Sequence, residues 1–192
     1  MKRILVGVVG QPLAGKDELA SRLQTHHDFR EVSSSDRLRK HMASFNLGEP
    51  TPENMNVVST GLRRECGADF LVRWILNENP RVPRLSISGL RLVGEIETLK
   101  SFGGIVVAVT APQRVRFERR KLRKRLGDDL SWEQFCAFEQ LESESTDPLK
   151  HNVNAVIRLA DYVLANDTDI GAFLHNVDVF VEWLEKLPTG AS

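Results

Sequence analysis

The sequence has no excess of charge of either sign. Lys and Arg together number 26 among 192 residues, and Asp and Glu also number 26. A neutral protein exerts no general attraction on nucleic acid or on an anionic membrane surface, so any basic site in it must be local. We therefore expect neither nucleic acid nor a membrane as a partner.

Cysteines and long hydrophobic runs are also scarce. The two cysteines, Cys66 and Cys136, have no Cys or His at metal-ligand spacing, which favours two reduced structural thiols over a zinc or catalytic site. The apolar run at residues 4–9 is too short to cross a bilayer, and it leads into a glycine-containing turn rather than a signal-peptide cleavage site. These features predict a cytoplasmic protein.

Five short apolar runs, most of them rich in β-branched residues, alternate with long helix-like stretches. The runs lie at residues 4–9, 29–33, 85–88, 105–109 and 162–165. Alternation of this kind is typical of a parallel sheet covered by helices on both faces. Because the sequence has no internal repeat or clear linker, residues 1–192 are expected to form one α/β domain.

Polar residues mark two helix starts. Thr51 followed by Pro52 has the form of an N-cap and a first-turn proline, and residues 131–134, Ser-Trp-Glu-Gln, have the form of a capping box. We expect a helix to begin at each place.

The first apolar run is followed directly by a glycine-containing loop and an amphipathic helix. The loop residues are Gly10, Gln11, Pro12, Leu13, Ala14, Gly15, Lys16 and Asp17, with Glu18 next. This is the spacing of a phosphate-binding Walker A loop, except that an aspartate stands at residue 17 where Ser or Thr is usual. Such loops aim backbone N–H groups and a helix N-terminus at the phosphates of ATP, and the lysine reaches the β- and γ-phosphates. The alternative is an ordinary turn with a solvated lysine, but the position between a predicted strand and a predicted helix favours nucleotide binding.

Two segments further along the chain resemble adenylate kinases. Residues 32–39, Val-Ser-Ser-Ser-Asp-Arg-Leu-Arg, resemble the segment in which a strand ends in hydroxyl residues and a helix presents an acceptor-binding arginine. Residues 86–91, Ser-Ile-Ser-Gly-Leu-Arg, resemble the next strand, turn and arginine of that family. By position, the resemblance makes Arg39 and Arg91 the two acceptor arginines. The other acceptor-side candidates in the first segment are Ser34 and Asp36.

Two more segments extend the resemblance over residues 3–186. Residues 91–95 and 99–107 look like a helix and strand of phage-type deoxynucleoside monophosphate kinases. Residues 160–167 resemble the last strand and adenine-side loop of dephospho-CoA kinases, which implies that Asn166 borders the nucleotide. The resemblance to this P-loop nucleoside monophosphate kinase superfamily implies a three-layer P-loop NTPase fold with a five-stranded parallel sheet. It also implies ATP and Mg²⁺ as cofactors, an acceptor-binding insert near residues 36–78 and a lid near residues 113–146.

Arginine suits an acceptor that bears a phosphate. Its planar, permanently charged guanidinium can hold a phosphate through two parallel hydrogen bonds, which lysine cannot do. Arg91 and Arg39 are the first candidates, and Arg63 or Arg64 could assist from the insert. Because arginines on helices mostly face water, the sequence leaves open whether Arg63 and Arg64 reach the acceptor.

A basic stretch lies in the region that the resemblance makes a lid. It contains Arg114, Arg116, Arg119, Arg120, Lys121, Arg123, Lys124 and Arg125. Arg119 and Arg123 have the Arg-x-x-x-Arg spacing of the lid pair, and in that family such arginines stabilise charge during transfer and help to exclude water. The alternative is a solvated basic helix or an RNA-contacting patch.

Three positions depart from the pattern of that superfamily where the resemblance places magnesium and the phosphates. Asp17 and Glu18 stand where hydroxyl residues are common, and Ser88 stands where adenylate kinases have an aspartate that orients the water shell of the ion. Two carboxylates beside a triphosphate would repel it unless a cation intervenes. We interpret the carboxylate gained at residue 17 and the one lost at residue 88 as an exchange, in which Asp17 and Ser88 both serve the metal.

These observations favour a kinase that transfers the γ-phosphoryl group of ATP to a nucleoside or deoxynucleoside monophosphate. Its catalytic groups would be Lys16, Arg91, Arg119 and Arg123. Dephospho-CoA kinase is a close alternative, because the C-terminal segment suits it. A nucleotide-dependent regulatory or RNA-associated ATPase is a third. The sequence does not select the base or sugar of the acceptor, nor a monomer over a homodimer.

Overall fold

A computed structural model describes residues 3–123, 129–143, 147–167 and 169–188. The strands are β1 Ile4–Gly10, β2 Arg30–Ser33, β3 Arg84–Ser88, β4 Ile105–Thr110 and β5 Tyr162–Ala165. The first helices are α1 Lys16–His26, α2 Ser34–Ser44, α3 Pro52–Cys66, α4 Phe70–Glu78 and α5 Val93–Ser101. The later helices are α6 Gln113–Arg123, α7 Trp132–Ser143, α8 Val153–Arg158 and α9 Ile170–Lys186. The predicted α/β alternation is confirmed, and each predicted strand matches an observed one to within one residue at either end.

All five strands run parallel in the order β2-β3-β1-β4-β5. After β1 the chain builds β2 and β3 on one side, and it then crosses to build β4 and β5 on the other. The strand order therefore reverses at β1, and open parallel sheets bind ligands beyond the carboxyl ends of the strands at such a point. The Walker A loop begins at this end of β1.

The apolar runs are continuous because the sheet is buried on both faces. Val6 and Val8 point to one face, where α1 and α9 supply the opposing core through residues such as Leu19 and Phe173. Alternate residues point to the other face, where α4, α5 and α8 cover the sheet. Successive side chains of β1 thus pack against helices on opposite faces of the sheet. The carboxyl end of the strand stays open for ligands.

Both predicted helix starts are confirmed. Thr51 Oγ1 accepts a hydrogen bond from the Asn54 backbone N–H at 3.2 Å, and Pro52 is the first residue of α3. Ser131 Oγ accepts from the Gln134 N–H at 3.2 Å, while Gln134 Oε1 accepts from the Ser131 N–H at 2.9 Å. Side-chain oxygens thereby replace the missing helical partners of these N–H groups.

Helices α2 and α3 pack on α4 through a third, smaller core. Its buried members are Leu38, Met42, Phe70 and Leu71. This core lies within the predicted acceptor insert, whose role stays a prediction. Residues 124–128 and 144–146 of the predicted lid, with Lys124 and Arg125 among them, lie outside the described residues. In the part of the chain that the structure describes, no helix has the length and apolar character needed to span a membrane.

Candidate active site

The phosphate loop is tightly wound at its two glycines. Gly10 has φ 140° and Gly15 has φ 109°, which are conformations that residues with a side chain rarely adopt. A Cβ on Gly10 would lie 2.1 Å from the carbonyl oxygen of Val109, and a Cβ on Gly15 would lie 2.1 Å from Asn166 Nδ2. Both positions therefore require glycine, and the loop between them leads directly into the N-terminus of α1.

Lys16, the first residue of α1, folds back over the loop. Its Nζ donates hydrogen bonds to the backbone carbonyl oxygens of Gly10 at 2.9 Å and Gln11 at 2.7 Å. Charge-assisted bonds to a phosphate are stronger than bonds to neutral carbonyls. A bound polyphosphate would therefore be expected to recruit this ammonium group from the loop.

A cavity of about 610 Å³ opens above the loop. The sequence-predicted residues that line it are Gly10, Pro12, Leu13, Gly15, Lys16, Asp17, Glu18, Arg91, Arg119, Arg123 and Asn166. Asp17 and Glu18 are exposed in the first turn of α1, and Gly15, not Asp17, is the N-cap of that helix. The structure thus brings almost all the predicted nucleotide residues to one place.

Arg119 and Asn166 brace the phosphate loop from behind. The Asn166 amide donates to the Ala14 carbonyl oxygen at 2.8 Å, and Arg119 NH1 donates to the carbonyl oxygens of Leu13 and Ala14 at 3.2 and 3.3 Å. Arg119 NH2 also donates to Asn166 Oδ1 at 3.0 Å. These bonds satisfy carbonyls turned outward by the loop, so both residues stabilise its conformation as well as lining the cavity.

The remaining basic residues of α6 have different surroundings. Arg116 is buried and forms an ion pair with Glu139 of α7, and burial lowers its pKa to about 10. Arg123 is exposed at the end of α6 and lines the loop cavity. In the basic stretch, Arg116 thus joins two helices and Arg119 and Arg123 line the cavity, whereas Arg114 and Lys121 form exposed ion pairs with Glu118.

Glu31 of β2 is an acidic residue near the loop that the sequence prediction missed, and, like the predicted metal residue Ser88, it lies outside the lining of both cavities. Ser88 Oγ donates to Glu31 Oε1 at 2.5 Å. Burial raises the pKa of the Glu31 carboxyl, the Ser88 hydrogen bond opposes that rise, and the negative charges of Asp36 and Asp17 add to it. The sequence did contain one signal for this residue, a charged side chain inside a short strand. Such a side chain needs a polar partner at the sheet edge.

The carboxylates near the loop do not form a ready-made metal cage. Among the described ranges there is no group of three or more His, Cys, Asp or Glu side chains that could hold a metal ion. Magnesium usually keeps several waters and is bound through one or two carboxylates together with substrate phosphates. Asp17 lines the loop cavity, and Glu31 lies close enough for the Asp17 charge to act on it, so these two carboxylates fit that mode of binding.

A second cavity, of about 570 Å³, lies between α2, α3 and the loop after β3. The predicted residues Ser34, Arg39, Arg63 and Arg91 line it. Asp36 lies outside that lining, and it accepts a hydrogen bond from Arg39 NH1 at 2.5 Å. Arg91 lines both cavities, so this residue lies where the two cavities meet.

The structure distinguishes two arginines that the sequence left equivalent. Arg63 is only 6% exposed, and its NH1 donates to the Leu149 carbonyl oxygen at 3.4 Å. Burial lowers the pKa of Arg63, with the Glu95 carboxylate opposing this effect and the Arg91 charge adding to it. Arg64 is exposed. Arg63 is therefore the acceptor candidate of the pair.

Glu95 fixes the backbone that carries Arg91. Its Oε2 accepts from the backbone N–H groups of Arg91 at 2.7 Å and Leu92 at 3.0 Å, which closes the first turn of α5. Burial raises the pKa of Glu95, and these hydrogen bonds together with the positive charges of Arg63 and Arg91 oppose that rise. The carboxylate holds a loop in place and thereby positions an arginine between the cavities.

His151 also lines the second cavity, and no pattern in the sequence indicated this position. Burial lowers its pKa to about 4, and the charges of Arg91 and Arg63 contribute to the shift. The imidazole is therefore neutral at pH 7. The next residue, Asn152, donates its backbone N–H to the Arg91 carbonyl oxygen at 3.1 Å, which ties this segment to the arginine loop.

The parallel sheet and the phosphate loop together place this chain in the class of proteins that have a P-loop kinase fold. The chain superposes on a shikimate kinase from Bacteroides thetaiotaomicron with a TM-score of 0.63 and 17% identity, covering 95% of this chain and 98% of that one. It superposes on a dephospho-CoA kinase from Campylobacter jejuni with a TM-score of 0.54 and 15% identity, covering 95% and 97%. At these identities the likeness shows the fold alone, and the predicted P-loop fold is confirmed.

The chain belongs to the UPF0200 protein family. It is 34% identical over 190 residues to the UPF0200 protein of Thermococcus onnurineus, and the match covers 93% of this chain and 97% of that protein. No protein-family model matches the sequence. The family assignment does not name a substrate, so the function has to be argued from the site.

Proposed function

We propose that this protein is an ATP-dependent kinase that transfers the γ-phosphoryl group to a nucleoside or deoxynucleoside monophosphate. The observation that carries the proposal is that Arg91 lines both the phosphate-loop cavity and the second cavity. An acceptor in the second cavity would thus meet the terminal phosphate of ATP beside one shared positive charge. Phosphoryl transfer needs such positioning and charge stabilisation more than it needs a protein nucleophile.

In this proposal the loop and α1 bind the phosphates of ATP. Lys16 neutralises charge on the β- and γ-phosphates, and the backbone N–H groups at the start of α1 bind them directly. Arg91 and Arg63 hold the acceptor phosphate, with Arg39 at the rim of the same cavity. Arg123 adds positive charge beside the transferred group, while Arg119 and Asn166 border the nucleotide and hold the loop.

Magnesium would be held by the phosphates of ATP and by waters that Asp17 and Glu31 orient, with the Ser88 hydroxyl fixing Glu31. When bound, the ion supplies charge neutralisation on the β- and γ-phosphates. The exchange inferred from the sequence then involves Asp17 and the Glu31–Ser88 pair rather than Asp17 and Ser88 alone. The hydrogen bond from Ser88 to Glu31 supports this version.

A kinase that acts on a hydroxyl group, such as dephospho-CoA kinase, is the second candidate. Glu31 favours it, because a carboxylate with a raised pKa near the phosphate loop could accept a proton from an attacking hydroxyl. A phosphate acceptor needs no such base, since its oxygens are already ionised near pH 7. The two candidates therefore assign different roles to the same carboxylate.

An acceptor panel tests the proposal. Purified protein with Mg-ATP is offered ribonucleoside monophosphates, deoxynucleoside monophosphates or dephospho-CoA, and ADP formation is followed. ADP formation stimulated by a nucleoside monophosphate would support the proposal. Stimulation by dephospho-CoA would support the second candidate, and ADP formation that no acceptor stimulates would favour an ATPase of the regulatory or RNA-associated kind.

We expect Glu31→Gln to lower Mg-ATP turnover about tenfold or more, which corresponds to roughly 1.4 kcal/mol in the barrier. The physical reason is that the amide keeps the shape of the side chain but loses the charge that orients magnesium-bound water. Turnover is measured against magnesium concentration for the wild type, Glu31→Gln and Ser88→Ala. Ser88→Ala is the matched control, because it retains the carboxylate and should have a smaller effect.

The magnesium series separates the two roles of Glu31. A loss that excess magnesium recovers supports metal positioning, whereas a loss that persists at saturating magnesium supports proton acceptance. Wild-type behaviour of Glu31→Gln at all magnesium concentrations would rule out both.

Since Ser88→Asp would place a second carboxylate against Glu31, we expect it to rescue Asp17→Ser only when Glu31 is also changed to Gln.

A further inference from the structure

The acceptor cavity contains a buried arginine whose hydrogen-bonding capacity is only partly used. Arg63 is 6% exposed, and its Nε has no hydrogen-bond partner among the residues that the structure describes. Its single described bond, to the Leu149 carbonyl oxygen, is long at 3.4 Å. A buried charged donor without a partner destabilises a protein unless a ligand accepts from it. This side chain therefore indicates an anion-binding position.

His151 lies in the same cavity and is linked to both arginines. The segment that carries it accepts from Arg63 through Leu149 and donates to the Arg91 carbonyl oxygen through Asn152. His151 is half-buried and senses the charges of Arg63 and Arg91. Three side chains with N–H groups thus surround one part of the cavity.

The charges around this position are unbalanced. The charged side chains that line the cavity are Arg39 on α2, Glu53 and Arg63 on α3, Arg91 after β3 and Glu95 on α5. Arg39 pairs with Asp36, and Glu53 lies ten residues before Arg63 at the other end of α3. The Glu95 carboxylate accepts from two backbone N–H groups, and its charge offsets part of the charge of Arg63 and Arg91. Lys150, beside His151, is exposed.

We propose that Arg63, Arg91 and His151 form a subsite for a phosphate monoester, in which His151 takes up a proton from solvent as the dianion binds. The inference concerns the acceptor side of the proposed kinase, but the subsite itself does not depend on catalysis. His151 is thereby a specificity-determining residue, because it becomes a charged donor when the ligand is a dianion.

The charge of the ligand determines which chemical class of ligand the subsite prefers. Without ligand, burial and, to a smaller extent, the positive charges of Arg91 and Arg63 keep the imidazole neutral. A phosphate monoester carries close to two negative charges at pH 7 and three acceptor oxygens, which match three donor side chains. Its charge reverses the field at His151 and favours the imidazolium form. A carboxylate brings one charge and two oxygens, so together with Glu95 it neutralises the two arginines but does not reverse the field at His151.

The test measures the titration of His151 directly. Full-length protein with ¹³C-labelled histidine is titrated by NMR, and the His151 signal is assigned from its absence in His151→Asn. Inorganic phosphate is the probe, acetate at matched ionic strength is the control, and no ATP is present. We expect the pKa of His151 to rise by about three units with phosphate, to about 7, where the imidazolium form and the phosphate dianion coexist, and to rise much less with acetate.

Matched variants locate the effect. Arg63→Gln should remove the phosphate-induced shift, whereas Arg64→Gln, a change at the exposed neighbour, should retain it. Lys16→Ala should also retain it, because phosphate bound in the loop is not its cause. If His151→Asn does not fold, backbone assignment of the wild-type chain identifies the signal.

Three results would overturn the inference: no shift with phosphate, a shift that acetate reproduces in full, or a shift that survives Arg63→Gln. Because the measurement needs no turnover, its outcome is separate from that of the kinase proposal. A phosphate-dependent shift in a protein that transfers no phosphoryl group would support the subsite and count against the kinase.

Discussion

Lys16→Ala is expected to abolish ATP-dependent phosphoryl transfer while the protein remains folded. The alanine removes the one side-chain ammonium that the Walker A spacing places at the β- and γ-phosphates. Loss of a single preorganised charge at a transition state lowers turnover by about a hundredfold or more. We therefore expect activity to fall to about one percent of wild type or below.

The fold should tolerate the change, because the described partners of Lys16 Nζ are two loop carbonyls, on Gly10 and Gln11. Net contributions of such hydrogen bonds are about 1 kcal/mol each, so a modest decrease in thermal stability is expected. Activity and thermal unfolding are measured on the same preparations.

Lys100→Ala is the matched control for Lys16→Ala. On the surface, remote from the loop, Lys100 donates to Asp161 at 2.6 Å in an ion pair. The Lys100→Ala substitution should therefore leave turnover unchanged. A folded Lys16→Ala protein with wild-type turnover would remove the basis for assigning the loop to ATP.

Arg63→Gln should weaken the acceptor roughly thirtyfold in apparent affinity and leave that of ATP nearly unchanged. A bidentate, charge-assisted contact stabilises a complex by about 2 kcal/mol, which corresponds to a roughly thirtyfold change in affinity. The selectivity follows from location, since Arg63 lines the acceptor cavity and not the loop cavity. KM values for both substrates, and for the Arg64→Gln control, provide the measurement.

Arg91 and Arg39 should behave differently from Arg63. Arg91 lines both cavities, so its replacement by Gln should impair ATP and acceptor together. Arg39 is exposed and already paired with Asp36, so its loss should have a smaller effect. If Arg63→Gln raised the KM of ATP and spared the acceptor, the division of the site into two cavities would be wrong.

The sequence predicted the sheet and the loop because both are coded locally. Each strand is a short apolar run, and a strand buried on both faces needs nothing else to be recognised. The Walker A loop likewise depends on neighbours in the chain, since Gly10, Gly15 and Lys16 are set by the turn itself. The resemblance made Arg91 an acceptor arginine because that residue follows a strand end; the structure places it in the lining of both cavities, and its role stays a prediction.

Other site residues could not be predicted from neighbours in the chain. Arg63 and Arg64 are adjacent on one helix, and packing of α3 decides which of them is buried. Glu31 matters because β2 pairs with β3 and brings its carboxylate to Ser88. His151 approaches Arg63 and Arg91 across long sequence separations.

The sequence by itself therefore determined the fold class, the phosphate loop and the order of the elements. Periodicity and glycine spacing express the preferences of the backbone, and those preferences act over a few residues. The tertiary structure alone decided which charged side chains share a cavity, in which direction burial shifts their pKa values and that Arg91 lines both cavities. Burial and electrostatic coupling depend on distance in space, which the order of residues along the chain does not specify.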